Sequence, residues 1–116
     1  KTPNTVEAWI YLPEIKRSVI FGNYGGTGAG INFEITASGC PRLYWMTGIG
    51  SPNDLTFSNT VVPANEWVHV VITRDTSTGN AKCYINGVLK QTVEKNFADV
   101  EASTLSPSIF DKIYAL

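Results

Sequence analysis

Hydrophobic and polar residues alternate with a period of two along much of the chain, which is typical of β-strands with one buried face. The first such segment has an apolar face formed by Val6, Ala8, Ile10 and Leu12. Its other face is mixed and carries Thr5, Glu7, Trp9 and Tyr11. Similar patterns predict further strands over residues 18–23, 31–36, 42–47, 67–75, 81–85 and 88–90.

Two stretches give weaker signals. Residues 48–53 are predicted to form a loop because Gly, Ser, Pro and Asn dominate them, and residues 55–62 are a weaker strand candidate. Residues 94–102 have some helical character but lack a full amphipathic stripe, so a loop or a single turn is expected there.

The most specific local signal is the Asn86-Gly87 pair between two predicted strands. Both residues tolerate a positive φ, so the pair favours a type I′ turn, whose twist matches that of the flanking strands. Residues 67–75, 81–85 and 88–90 are therefore predicted to form three consecutive antiparallel strands in a fixed register.

Short strands separated by turn chemistry predict an all-β fold, an antiparallel two-sheet sandwich or jelly roll. With 116 residues the chain is expected to form a single domain over residues 1–116. Its net charge of −1 provides no basic field for nucleic acid. No apolar run approaches the ~20 residues that cross a bilayer, so neither nucleic-acid binding nor membrane insertion is expected.

Three fragments of the chain occur in a characteristic order: Thr5-Val6-Glu7-Ala8-Trp9-Ile10, Asn65-Glu66-Trp67-Val68-His69-Val70-Val71 and Lys82-Cys83-Tyr84-Ile85-Asn86-Gly87-Val88. Together they resemble the laminin-G-like domains of the concanavalin A-like lectin/glucanase superfamily, over roughly residues 3–93. The resemblance implies an antiparallel jelly roll of two sheets with one concave face. It also assigns Trp9 and Trp67 to packing, because both lie in the framework part of the family pattern.

The chain departs from that family pattern at both ends. Family members usually have a strand before the first fragment and a closing strand rich in Ile, Val and Tyr beside it, for which only residues 108–116 could serve. Either the domain is minimal or the chain is a fragment of a longer protein. A sheet without its closing strand would expose an edge that invites pairing with other protein chains.

Catalytic residues do not form a recognisable set, and the chain is predicted not to be an enzyme. Glycoside hydrolysis needs two carboxylates that flank the bond, and the Glu-x-Asp-x-x-Glu run of the superfamily's glucanases is absent. Glu7, Glu34 and Glu66 are isolated in the sequence. His69 is the only histidine, and we expect a half-buried structural ring with a neighbour such as Glu7.

Other candidate sites fail tests of context. The glycine-rich residues 25–30 run into a strand rather than a helix, so a hairpin loop is expected instead of a phosphate cradle. Members of the resembling family often hold calcium, for which Asn53-Asp54 and Asp75 are the best oxygen clusters, although neither forms an Asp-x-Asp-x-Asp run. No cofactor is predicted, with calcium left open. Cys40 and Cys83 could form one disulfide or remain two buried thiols.

Aromatic side chains support a binding function. Sugars stack their C–H faces on Trp and Tyr rings and pair their hydroxyls with Arg, Asn and Asp, so a concave sheet with exposed aromatic rings suits a glycan. Tyr44 and Trp45 are adjacent and face opposite ways, so only one of them can line the groove. The candidate ligand-binding residues are Asn23, Tyr24, Arg42, Tyr44 and Trp45.

The predicted function is therefore a non-catalytic module, extracellular or on the cell surface, that binds a glycan or a glycosylated surface through its concave face. Two alternatives stay open. One is a structural, adhesion or assembly domain of a surface fibre, filament or adhesin. The other is a glucanase-like hydrolase, which would need two carboxylates within about 10 Å of each other on the concave face.

Overall fold

The computed structural model describes residues 4–22, 30–46, 52–75 and 77–94. These residues form two antiparallel four-stranded sheets, the first in the order β1-β6-β7-β8 and the second in the order β2-β3-β4-β5. The strands are β1 (Asn4–Tyr11), β2 (Ser18–Gly22), β3 (Gly30–Ile35), β4 (Pro41–Met46), β5 (Pro52–Thr56), β6 (Trp67–Asp75), β7 (Asn80–Ile85) and β8 (Val88–Glu94). The all-β sandwich predicted from the alternating pattern is confirmed.

The hydrophobic core lies between the two sheets and takes one face of each. In β6, every second residue from Val68 to Ile72 is at most 1% exposed, and these side chains join Ile10 of β1 in the core. Phe33 and Ile35 of β3 contribute two fully buried side chains from the other sheet. Polar residues at the alternate positions are consequently left on the two outer faces of the sandwich.

The β2 strand contains an irregularity that keeps both of its large apolar residues near the core. Its register against β3 shifts between Val19 and Phe21. Ile20 is 8% exposed and Phe21 packs edge-on against Phe33, with ring centroids 5.4 Å apart at 71°. A β-bulge of this kind adds one residue and redirects the side chains that follow.

The β5 strand begins earlier than the sequence predicts. It spans Pro52–Thr56, which includes part of the predicted loop, whereas most of the weak candidate strand 55–62 is irregular. Proline is tolerated as the first residue of an edge strand. Phe57 and Val62 in this stretch are buried although neither belongs to a strand. Phe57 begins a turn in which the Thr60 N–H donates to the Phe57 carbonyl at 3.0 Å.

The Asn86-Gly87 turn joins β7 and β8 as predicted, with positive φ angles of 51° and 80°. Asn86 also continues the β6–β7 ladder beyond its last backbone pair. Its N–H donates to the His69 carbonyl at 2.8 Å, and its Oδ1 accepts the His69 N–H at 2.9 Å. Asn86 thus makes, with its backbone N–H and its side chain, the two hydrogen bonds to His69 that a further residue of β7 would make with its backbone.

Cys40 and Cys83 are both buried and both free, so the disulfide alternative is not realised. Burial raises the pKa of the Cys83 thiol to about 12. Cys40 accepts a hydrogen bond from Ser38 Oγ at 3.7 Å, and its Sγ donates to the Ser58 carbonyl at 3.7 Å. Both side chains act as small hydrophobic core residues.

Several predicted elements lie outside the described residues. These are most of the glycine-rich segment 25–30, the segment after Glu94 and the candidate closing strand 108–116. Within the described part of the chain, no helix has the length and apolar character to cross a membrane.

Candidate functional site

The outer side of the second sheet is lined by polar residues. In β3, Asn32 and Glu34 alternate with core residues and are nevertheless only 6% and 0% exposed. Antiparallel pairing with β4 and β5 sets their neighbours, in the rows Asn32-Tyr44-Asp54 and Glu34-Arg42-Thr56. We refer to these six residues as the polar face.

An ion-pair network around the buried Glu34 carboxylate holds the polar face together. Arg17, which precedes β2, donates to Glu34 Oε2 from Nη2 at 2.9 Å and from Nε at 3.3 Å. Arg42 Nη1 contacts Oε1 at 3.2 Å. Each carboxylate oxygen therefore has its own guanidinium, which compensates the loss of water around a fully buried charge.

Arg42 extends the network across the sheet to β5. Its Nη2 lies 2.6 Å from Asp54 Oδ2, while Asp54 Oδ1 accepts a hydrogen bond from Thr56 Oγ1 at 2.6 Å. The guanidinium carbon also lies 4.7 Å from the centroid of the Tyr44 ring, in cation–π range. These contacts fix the orientation of Arg42 before any ligand arrives.

An open pocket of about 400 Å³ lies beside this network and is lined by Arg17, Thr36, Ala37, Arg42 and Tyr44. Its lining includes two guanidiniums, a hydroxyl group and an aromatic ring. The Glu34 carboxylate that orients the guanidiniums has no exposure. The pocket therefore presents hydrogen-bond donors and an aromatic ring to a ligand, whereas the Glu34 carboxylate is covered and faces no solvent.

A glycine at the end of β2 makes room for the polar face. Gly22 pairs with Asn32 across the strands. A Cβ at position 22 would overlap Asn32 Oδ1 and come within 2.8 Å of the Asn32 Cγ and of the Ile31 carbonyl oxygen. Asn32 can keep its side chain in this place only because residue 22 has none.

The outer side of the first sheet carries exposed aromatic residues. Trp9 and Trp67 are 63% and 64% exposed. The Trp9 ring stacks on His69 with centroids 5.0 Å apart at 25°, and Tyr11 packs against Trp67 with centroids 5.8 Å apart at 57°. We refer to Trp9, Tyr11, Trp67 and His69 as the aromatic face.

The aromatic face overturns the assignment of Trp9 and Trp67 to packing. The inward positions of their strands are occupied by smaller residues such as Ile10 and Val68, each 1% exposed. Both indoles stand on the solvent side. His69 has the expected partly buried ring beside Glu7, since its Nε2 lies 3.6 Å from Glu7 Oε2 and its side chain is 24% exposed. Its purely structural role stays a prediction.

A laminin-G-type family model, described as the concanavalin A-like lectin/glucanases superfamily, matches residues 1–109. The chain belongs to this superfamily. The resemblance carried by the three sequence fragments is thereby confirmed. No curated protein matches the chain.

Solved structures are also similar in fold to this chain, and one example illustrates the likeness. It is a protein from Bacteroides ovatus ATCC 8483 described as a "putative carbohydrate binding protein", with 21% sequence identity and a TM-score of 0.53. The match covers 80% of this chain and 26% of that chain, so the chain spans about a quarter of its length. At this identity the likeness concerns the fold alone.

The concanavalin A-like domain brings together two of the five predicted ligand-binding residues. Arg42 and Tyr44 both line the pocket. The backbone of Trp45 pairs with Ile31 and Asn53 in the second sheet, but its side chain lies outside the described residues. Asn23 and Tyr24 also lie outside them, so their role stays a prediction.

Sequence reasoning missed the residues that organise this site, above all Arg17 and Glu34. Glu34 was classed as an isolated acid because its partners are 17 and 8 residues away in sequence. Its outward position in β3 follows from the alternation, and the opposite charge of Arg42 across the strands is a usable signal once the register is known. Arg17 lies in an irregular segment and gives no periodic signal.

The two predicted oxygen clusters for calcium are engaged with protein groups. Asp54 binds Arg42 and Thr56, and Asp75 Oδ1 accepts hydrogen bonds from Ser77 Oγ at 2.6 Å and from the Ser77 N–H at 2.9 Å. Among residues 4–22, 30–46, 52–75 and 77–94, no three His, Cys, Asp or Glu side chains are grouped so that they could hold a metal ion. The expectation concerning cofactors stays a prediction.

Proposed function

We propose that this domain is a non-catalytic carbohydrate-binding module whose ligand occupies the pocket on the polar face. The observation that carries the proposal is the pair of guanidiniums, Arg17 and Arg42, held in place by one buried carboxylate beside the Tyr44 ring. Donors that are fixed before binding lose little conformational entropy when the ligand arrives.

The hydrogen-bond inventory of Arg17 suits a sugar oxygen. Glu34 engages its Nε and Nη2 atoms, and no contact within the described part of the chain uses its Nη1 hydrogens. The side chain is 61% exposed, so these hydrogens remain for a hydroxyl or ring oxygen. Thr36 lines the same pocket, and its hydroxyl is held in place by the Cys40 N–H at 3.0 Å and by Ser38 Oγ at 3.0 Å.

The glucanase-like alternative needs two neighbouring carboxylates that a substrate can reach. Two carboxylates are close enough, but one of them is not accessible. Glu34 and Asp54 both contact Arg42, so the two carboxylates lie within about 10 Å of each other, as in glycosidases. Glu34, however, is 0% exposed and both of its oxygens are bound to guanidiniums. A carboxylate in this position cannot reach a glycosidic bond, which favours binding over hydrolysis.

Two comparisons support the proposal. The superfamily to which the chain belongs is named for lectins as well as glucanases, and the Bacteroides ovatus relative is described by carbohydrate binding. A location outside the cell or on its surface, where glycans are displayed, is part of the same proposal.

The proposal is tested by a glycan array followed by calorimetry on the best glycan. Arg17→Gln removes a pocket donor while keeping a polar side chain, and we expect it to weaken binding by about three- to tenfold. Lys16→Gln is the matched control, because Lys16 also carries one positive charge but pairs with Glu14 at 2.8 Å and does not line the pocket. An array on which the wild-type chain binds no glycan would refute the proposal.

Absence of hydrolysis is tested with the same glycan. The chain and the glycan are incubated together and new reducing ends are measured over time. We expect none above the rate without protein, and the Glu34→Gln variant should give the same result. Hydrolysis by the wild-type chain that disappears in Glu34→Gln would show that the domain is an enzyme.

A further inference from the structure

The aromatic face is separate from the polar face, because it lies on the outer side of the other sheet. It occupies two successive rows of the β1–β6 strand pair, with Trp9 opposite His69 and Tyr11 opposite Trp67. The two tryptophans are the most exposed large hydrophobic residues in the described part of the chain. Single exposed apolar residues are common, whereas a contiguous exposed apolar patch often marks a binding surface.

We infer that the aromatic face is a second saccharide-binding surface, on which the C–H faces of pyranose rings stack against Trp9 and Trp67. Each indole is braced on one side by a neighbouring ring, Trp9 by His69 and Trp67 by Tyr11. Such pairs restrict the indole rotamers and leave more than half of each side chain exposed. The stacking surface is therefore formed before the ligand binds.

Polar groups stand beside the rings, where a sugar places its hydroxyls. Glu7 lies 3.6 Å from His69 Nε2 and its side chain is 64% exposed, so its carboxylate can accept hydrogen bonds. Tyr11, 38% exposed, adds a phenol hydroxyl that can donate or accept. A ligand with one apolar face and a rim of hydroxyls matches this mixture better than a purely apolar ligand does.

The size of the surface favours a saccharide over a second copy of the chain. Because an aromatic side chain presents about 150–250 Å², the exposed fractions of Trp9, Tyr11 and Trp67 amount to roughly 250–400 Å². A stable protein interface needs about 800 Å² from each partner. One or two pyranose rings would cover the aromatic face, whereas a dimer would need much more surface.

Two binding surfaces on opposite sides of the sandwich would make the domain bivalent. Each face alone could bind weakly, and their combination would raise the apparent affinity for a surface with closely spaced glycan chains. The inference does not depend on the pocket of the polar face, and separate variants distinguish the two sites.

The test uses β-1,4-linked hexasaccharides of glucose and of N-acetylglucosamine, whose equatorial linkages leave flat C–H faces. Binding is measured by calorimetry for the wild type, Trp9→Ala, Trp67→Ala, the double variant and Arg17→Gln. We expect each tryptophan variant to weaken binding of one of the probes by about three- to tenfold, and Arg17→Gln reports separately whether the same probe also occupies the pocket of the polar face. Val61→Ala is the control, because Val61 is 60% exposed and lies outside the aromatic face.

Three outcomes would overturn the inference. The first is wild-type affinity of the double variant, confirmed as folded by circular dichroism, for both probes; weaker binding of the same probe by Arg17→Gln would then leave the proposed function intact. The second is no binding of either probe to the wild type. The third is a concentration-dependent dimer of the wild type in light scattering that the double variant lacks, which would identify the aromatic face as a contact between copies.

Discussion

Glu34 shows how a charged side chain becomes buried on the outer face of a sheet. Its position in β3 turns it away from the core, yet the Arg17 and Arg42 side chains remove it from solvent. Removing the carboxylate would leave Arg42, whose side chain is 24% exposed, with Asp54 as its remaining charged partner, and would leave the exposed Arg17 without its ion pair. The same contacts that stabilise the polar face also orient the groups proposed to bind sugar.

These contacts predict a large effect of removing Glu34. Glu34→Ala should lower the free energy of unfolding by about 1–3 kcal/mol, since Arg17 loses its partner, Arg42 keeps only Asp54 and a cavity forms. Glu14→Ala is the matched control, because its ion pair with Lys16 is 2.8 Å long but has side chains 66% and 63% exposed. Chemical denaturation should show almost no effect of Glu14→Ala, and equal effects of the two variants would contradict this account.

Gly22 gives a second prediction at the residue scale. Gly22→Ala should lower the free energy of unfolding by about 1–3 kcal/mol, because the new Cβ overlaps the Asn32 amide. Adding Asn32→Ala removes the overlapping side chain and should recover part of the loss, with the rest due to the Ile31 carbonyl oxygen 2.8 Å away. A double-mutant cycle in urea measures this coupling, and strictly additive effects would show that Asn32 does not set the requirement for glycine.

Trp9 and Trp67 show which kind of sequence argument worked for single residues. Alternation in β1 places Trp9 on the other face of the strand from Ala8 and Ile10. The structure confirms that this face points outward. The family resemblance, applied to the same residues, assigned them to packing and was wrong. A period of two follows from strand geometry, whereas membership in a framework motif does not say which side of the sheet a residue faces.

At the scale of single elements, the β7–β8 hairpin was predicted from two residues and the β5 strand was misplaced. Asn-Gly specifies its turn locally, because few residues adopt positive φ at both central positions. The β5 strand is an edge strand, formed because β4 offers a partner from Arg42 to Met46. The local sequence does not show this partner strand. The apolar Phe57 and Val62, which are buried outside any strand, made residues 55–62 resemble one.

The hairpin leads to a prediction about Asn86. Asn86→Gly keeps the positive φ but loses the Oδ1 acceptor for the His69 N–H, so we expect a loss of about 0.5–1.5 kcal/mol of unfolding free energy. Asn86→Ala loses the acceptor and also strains the backbone, so its loss should be larger by about 1 kcal/mol. Thermal and chemical denaturation should rank wild type above Asn86→Gly and Asn86→Ala last, and any other order would contradict the dual role.

The turn after β6 provides a pH-dependent prediction. Hydrogen bonds from the Ser77 hydroxyl and backbone N–H hold the pKa of the Asp75 carboxyl below its ordinary value of 3.8. A carboxyl whose pKa is lowered by folding stabilises the native state above its unfolded pKa, and this stabilisation is lost as the pH falls through the folded pKa.

Asp75→Asn removes this titration and keeps an Oδ1 acceptor for Ser77. We therefore expect the variant to be less stable than the wild type at neutral pH and the difference to shrink as the pH falls below 3.8. Urea denaturation at several pH values measures the difference. A gap that stays constant, or that widens in acid, would show that Asp75 does not contribute in this way.

At the scale of the whole molecule, hydrogen bonds join the first sheet to the segment that connects β5 to β6, in addition to the shared hydrophobic core. Gln91 on β8 of the first sheet accepts hydrogen bonds from the Asn59 N–H at 3.0 Å and from Thr60 Oγ1 at 3.3 Å. Asn59 and Thr60 belong to the connection that leads from the second sheet back to the first. Pairing with other protein chains through sheet edges stays a prediction.

The reactivity of the two cysteine thiols tests whether the core between the sheets excludes reagents from solution. Cys83 is 0% exposed with a pKa raised to about 12, and Cys40 is 5% exposed. Because the thiolate is the reactive form, we expect very slow reaction with Ellman's reagent at pH 8 in the native state. In guanidinium chloride both thiols should react at once, giving two per chain. Rapid native reaction, or fewer than two thiols after unfolding, would contradict the structure.

The sequence by itself determined the all-β class, most strands, the face on which the residues of β1 and β6 lie, and the hairpin turn. These properties arise from the period of the backbone and from local φ preferences, which are encoded in neighbouring residues. Tertiary structure alone decided the β5 register, the free state of the cysteines, the pairing of Arg17 and Arg42 with Glu34, and the ring partners of the two tryptophans. Each of these depends on contacts between residues far apart in sequence, and charges or rings acquire their partners only when the strands are paired.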